Sequence, residues 1–141
     1  MSRNIEVQIP TAGLSGLDLE KANAKIIIDE TAGRARKKYI TTVEGQDLTY
    51  SYKIVDAQKY IDDGRPADAS PYPWTQAEAD ARGISASDAA DIIVGTYNAW
   101  EPIGVSIEKE RIKGKDKIDK ANNSAVIEQE RRKAIKELNK L

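Results

Sequence analysis

Residues 85–118 read SASDAADIIVGTYNAWEPIGVSIEKERIKGKDKI, and they decide the fold class. Apolar positions fall at Ile93, Tyr97, Trp100, Gly104 and Ile107, in steps of four and three, as along the contact line of a coiled coil. Ser85 or Ser87 stands where an N-cap belongs. The same repeat continues through Arg111, Gly114, Ile118, Ala121 and Ala125, so the line thins toward small and charged side chains. Pro102 lies inside it and predicts a kink or a restart near residues 100–101, because proline lacks the N–H and crowds the preceding turn. Asn122 and Asn123 predict a break. Ser124 then caps a last helix whose stripe is Ile127, Ala134, Leu138 and Leu141. So narrow a stripe on a polar helix predicts that residues 105–141 are the least stable part of a lone chain and order against a neighbour or another copy.

Upstream, Ile5, Val7 and Ile9 alternate with polar residues and predict a short strand, ended by Pro10, Gly13 and Gly16. Ser15 and Asp18 resemble a capping pair for a helix whose apolar face is Leu19, Ala22, Ile26, Ile27, Ala32, Ala35 and Tyr39. Gly33 softens its centre. The run Arg34, Arg36, Lys37, Lys38 suits a helix C-terminus, where the macrodipole favours cations, better than a phosphate site. Leu48, Tyr50, Tyr52 and Ile54 alternate as in a hairpin strand, with EGQ as the turn. A helix over 47–62 is the preferred alternative. It puts Leu48, Tyr52, Val55 and Lys59 on one face, Asp47 in the first turn and Gly64 just past the end. Three of the five prolines fall in the linker 64–74. Thr75 and Glu78 then form a capping box for a short helix that Gly83 closes. The predicted fold is mainly α: an N-terminal part over 1–83 with a short strand and a small helical domain, then a long helical extension over 84–141 with partial coiled-coil character.

Composition narrows function. Cysteine and histidine are both absent, which removes disulfides, thiolate metal sites and the side chain most used as a base near neutral pH. The densest acidic pair, Asp62-Asp63, lacks the spacing of a calcium loop. No nucleophile elbow, phosphate loop, zinc-protease helix or dinucleotide fingerprint occurs. An enzyme is not expected, and neither is a cofactor or metal. No stretch is apolar enough to predict a membrane span or a leader. Charge is uneven: 44–91 carry 4 Lys/Arg against 10 Asp/Glu, and 108–141 carry 11 against 7. The basic tail mixes both signs and has no aromatic for base stacking, which disfavours nucleic acid as a partner.

Two runs carry a resemblance: AGRARKKYITTVEGQDLTYSYKIVDAQKYIDD and PYPWTQAEADARGISASDAADIIVGTYNAWEPIGVSIEKERIKGK. Together they resemble small proteins encoded among bacteriophage tail and tail-fibre genes. These share Arg-x-Arg-x-x-Tyr-Ile-Thr, a Gly-Gln before a Tyr-rich helix, and a Trp near the middle of a long helix. Here those positions are Arg34, Arg36, Tyr39, Ile40, Thr41, Gly45, Gln46, Tyr50 and Trp100. The resemblance covers residues 30–118 and implies a structural component of the virion tail, near the fibres or baseplate. Such a protein would be made in the host cytoplasm and would assemble with other tail proteins and with copies of itself. A fibre-assembly chaperone that leaves before the particle is complete, and a small nucleic-acid-binding regulator, are the alternatives. The resemblance transfers no active site. The residues expected to carry function are packing and interface positions: Ile5, Val7, Ile93, Tyr97, Trp100, Gly104, Ile107, Ile118, Ile127, Leu138 and Leu141.

Overall fold

The computed structural model describes residues 14–39 and 46–141. The strand predicted at 3–9, with Ile5 and Val7, lies outside them. Among the described residues 81% are helical and none is in a strand. Five helices follow in order: α1 (Gly16–Lys37), α2 (Gln46–Asp62), α3 (Pro73–Arg82), α4 (Ala86–Asp119) and α5 (Ser124–Asn139). The chain forms two compact units. One joins the residues up to Lys38 with Gly104–Leu141, and the other is Tyr39–Ile103.

The first unit contains α1, the end of α4, and α5. Ser15 Oγ accepts the Asp18 N–H and starts α1, as the sequence predicts. The last helix is capped by Asn123, whose side chain accepts the Val126 N–H, and not by Ser124, which is already its first residue. Asn123 sits at the extended backbone position of an N-cap, from which its side-chain oxygen reaches that donor directly. Ala22, Ala24, Ile28, Thr31, Ala32 and Ala35 of α1 are buried, with Ile107, Ile118 and Ala121 of the α4 segment and its end, and Ile127, Ala134 and Leu138 of α5. The residues expected to await a neighbour are therefore covered by α1 of the same chain. Ile28 lies across Gly114 and Ala134, a contact with no local sign in the sequence. Of the face predicted for α1, Ala22, Ala32 and Ala35 are buried, whereas Leu19 and Tyr39 are exposed and Ile26 and Ile27 half-buried, with Ala24, Ile28 and Thr31 taking the inner positions.

Ion pairs fix the antiparallel register of α1 and α4. Lys25 meets Asp119 at 2.8 Å, Asp29 meets Lys115 at 2.9 Å and Arg111 at 3.0 Å, and Arg36 meets Glu108 at 2.9 Å. Arg36 is thus committed within the fold. Arg111 also grips Glu108 at 2.7 Å, and chiefly that contact holds the Glu108 carboxyl below its ordinary range, with Arg36 adding to it. A lowered carboxyl contributes stability at neutral pH that is lost as pH falls through its folded value.

Gly114 is buried, and a Cβ there would sit 2.7 Å from Ala134 Cβ and 3.2 Å from Ile28 Cδ1. Gly33 would meet nothing within 4 Å. The two glycines should therefore respond oppositely to alanine. Gly114→Ala overpacks a helix crossing and should cost about 1–3 kcal/mol, whereas Gly33→Ala should gain about 0.5–1 kcal/mol from helix propensity. Urea unfolding of the two variants checks the signs; equal shifts would contradict the close crossing.

The second unit contains α2, α3 and the beginning of α4. The helix predicted at 47–62 is present, one residue longer. Gly64 ends it in the left-handed region at φ 88°, with the Arg65 N–H reaching Tyr60 O at 3.0 Å, as a Schellman cap requires. Gly83 closes α3 at φ 67° in the same way. The face of α2 turned inward differs from the predicted one. Ala57 and Tyr60 are buried with Ala69, Tyr72, Ala90 and Ile93, and Leu48, Tyr52 and Val55 are exposed. The Thr75–Glu78 capping box does not form either. Thr75 is fully buried inside α3, and the cap comes from Asp56 on α2, which accepts the Trp74 and Thr75 N–H groups at 3.3 and 2.9 Å and the Thr75 hydroxyl at 2.6 Å. Ser85 caps α4. That helix runs on unbroken through Pro102, so the predicted restart is absent. Proline deletes one hydrogen bond of a ladder that 34 residues share.

Tyr60 donates to Pro66 O at 3.0 Å and packs edge-on against Tyr72. The Tyr72 hydroxyl donates to Asp63, and this bond first, then burial, pushes its pKa from 10.0 up to about 12. The folded pKa is raised, so the contribution to stability is whole below pH 10 and is lost as pH rises through about 12. An alkaline spectrophotometric titration should show one tyrosine ionising last, and Tyr72→Phe should delete that step alone.

Candidate functional site

Several of the acidic groups of the described residues are engaged in the fold. Asp63 accepts from Tyr72 and Lys59, and Asp62 accepts from Gln58. Burial pushes the Glu78 carboxyl up, but hydrogen bonds from Lys53 and Arg82 outweigh it and leave the group below its ordinary range. No set of three or more metal-ligating side chains comes together among the described residues. No described helix is long and apolar enough to cross a membrane.

What stands out is apolar surface on the second unit. Leu48, Tyr52 and Val55 recur at helical spacing on α2 with 59%, 52% and 68% of their surface exposed. The Tyr52 ring stacks on Trp74 of α3, itself exposed, with centroids 5.8 Å apart and planes 10° off parallel. Leu48, Tyr52 and Val55 are the residues the sequence groups on one face of α2. The small residues on the opposite side, Ala57 above all, allow closer packing and take the inner place. Beside Val55 a groove of about 600 Å³ opens between α2 and α4, lined by Ile54, Val55, Gln58, Lys59, Asp62, Asp63, Tyr97 and Asn98. Its lining combines apolar Ile54 and Val55 and the Tyr97 ring with the charged Lys59, Asp62 and Asp63.

The sequence-assigned positions divide between the units. Ile93 is buried in the second unit's core and Tyr97 lines the groove. Trp100 is half-buried, with its ring 6.2 Å from that of Tyr39, so its loss should cost less than the roughly 3–5 kcal/mol of a fully buried aromatic. Ile107, Ile118, Ile127 and Leu138 are buried in the first unit, and Gly104 and Leu141 are half-buried. The surface residues Leu48, Tyr52, Val55 and Trp74 were not singled out as interface positions. The signal that finds them is aromatic distribution. All six tyrosines and both tryptophans of this phenylalanine-free chain fall within 39–103. The other unit has no aromatic residue.

No known family, curated protein or solved structure matches this chain. The surface itself therefore carries the functional argument. Aromatic side chains that offer large area with few rotatable bonds, grouped beside a groove, are the composition of a protein-binding patch.

Proposed function

We propose that this chain is a structural component of a bacteriophage tail, in the fibre or baseplate region, and that it works by protein–protein association without catalysis. The observation that carries the association is the exposed patch Leu48, Tyr52, Val55 and Trp74 on an otherwise well-packed unit. A monomer gains nothing by leaving two stacked rings and two aliphatic side chains in water, whereas a partner seated there would remove them from it. The tail setting rests on the resemblance carried by Arg34, Arg36, Tyr39 and Trp100 with their neighbours. The unit formed by the two ends of the chain then serves as the scaffold. Its buried positions recur seven apart, Ile107, Gly114 and Ala121 along and just past α4 and Ile127 and Ala134 in α5, which supports coiled-coil-like packing. Ile5 and Val7 would add a strand to a neighbouring sheet edge.

Mass spectrometry of purified particles tests the setting. A structural component co-purifies at a stoichiometric ratio to other tail proteins; absence from finished particles that need the gene for assembly would instead identify a chaperone. Val55→Arg should abolish incorporation while leaving the helical spectrum unchanged, because that side chain is 68% exposed and lies outside the buried core.

A further inference from the structure

Charge is sorted between the two units. Residues 39–103 carry 4 Lys/Arg against 11 Asp/Glu, a net of -7, and the rest of the chain carries 18 against 12, a net of +6. The whole chain is at -1. Two copies therefore approach without appreciable net repulsion, and the favourable encounter sets the basic unit of one against the acidic unit of the other. Each unit has a surface suited to that meeting. On the acidic unit it is the groove lined by Ile54, Val55 and Tyr97 together with Asp62, Asp63 and Lys59, two acids against one cation. On the basic unit it is the side of α4 turned away from the buried Ile107 and Ile118, where Lys109, Ile112 and Lys113 are exposed together with Asp116. Ile112 is 54% exposed there, an aliphatic side chain set among lysines.

We propose that this chain associates with itself head to tail, the Lys109–Ile112–Lys113 face of one copy seating in the α2–α4 groove of the next. Ile112 would cover Val55 and Tyr97, and the lysines would lie toward Asp62 and Asp63. The inference rests on the docking role proposed above and names the occupant as a second copy. The two contacting surfaces are different, so the contact is heterologous. Copies add in one direction until the rotation closes a ring, or without limit into a filament. The charged part of the contact weakens as salt shortens the screening length.

Sedimentation velocity on the full chain over a concentration series tests this, with Val55→Arg and Ile112→Glu as variants and circular dichroism confirming their helicity. The parent should form species beyond a dimer at low salt and shift toward monomer at high salt. Each variant alone should stay monomeric, one lacking a working groove and the other a working α4 face. Mixed in equal amounts they retain one intact groove and one intact face between them, and should form a 1:1 dimer that grows no further. A parent that is monomeric throughout the low-salt series, a variant that assembles like the parent, or a mixture that does not dimerise overturns the proposal. The docking role is judged separately. A monomeric parent whose Val55→Arg variant is still excluded from particles leaves the groove to a different protein, whereas normal incorporation of Val55→Arg removes the docking role itself.

Discussion

Truncating Ile118 to alanine should destabilise the protein by about 2–5 kcal/mol, the range for removing a fully buried aliphatic side chain whose surroundings cannot close the gap. Ile118 is completely inaccessible, near the end of α4, with Ala121 and Leu138 among the buried residues of the same unit. Small residues dominate this core, and they hold the helix backbones close, so little slack exists to fill a void. Both tryptophans lie in residues 39–103, so their fluorescence follows that unit, whereas far-ultraviolet circular dichroism follows helices of both. The loss is expected in the dichroism transition of the dilute chain. A dilute Ile118→Ala protein that unfolds at the parent's urea midpoint would mean that α1 does not cover these helices.

The second large effect belongs to Asp56. One carboxylate receives two backbone N–H groups at the start of α3 and the hydroxyl of Thr75, which is fully buried. Asp56→Ala removes a helix cap, worth about 0.5–2 kcal/mol, and strands a buried hydroxyl, worth about 1–3 kcal/mol. Together the loss should come to about 2–4 kcal/mol. Asp56→Asn keeps an acceptor oxygen and should retain most of the stability. Adding Thr75→Val to Asp56→Ala should recover part of the loss by removing the stranded group. Chemical denaturation followed by tryptophan fluorescence reads all three, and an unaffected Asp56→Ala protein would rule out the cap.

The local signals in the sequence were legible, and the tertiary ones were not. Ser15, Gly64 and Gly83 each act within a few residues of themselves, and the helix boundaries they predict agree with the structure. The repeat through Ile107, Gly114, Ile118 and Ala121 likewise marks a buried line, because a single helix face imposes it. The covering of that line depends on α1, some eighty residues away, and periodicity shows that a face is apolar without showing what meets it. The choice of face on α2 failed for a related reason. Leu48, Tyr52 and Val55 have the larger apolar surfaces, yet Ala57 packs inward, since burial was decided by fit against Tyr72 and Ile93 and not by hydrophobicity. The Asp56–Thr75 bond joins two helices across a proline-bearing linker, and a local capping pattern at Thr75 and Glu78 mimicked it. The candidate surface was legible only through the grouping of aromatic residues within 39–103, which marks a region without showing which rings are exposed.

The contact between Tyr39 and Trp100 bears on the order in which the chain folds. The first unit draws on both ends of the sequence, so its parts must find each other across residues 39–103. If that stretch were a flexible coil, closing it would cost on the order of 4 kcal/mol in chain entropy, a penalty that slows folding as well. A second unit that folds early and clasps its own two ends through Tyr39 and Trp100 replaces the coil with a short tether. Residues 39–103 would then act as the template on which α1 and the helical residues after 103 are brought together.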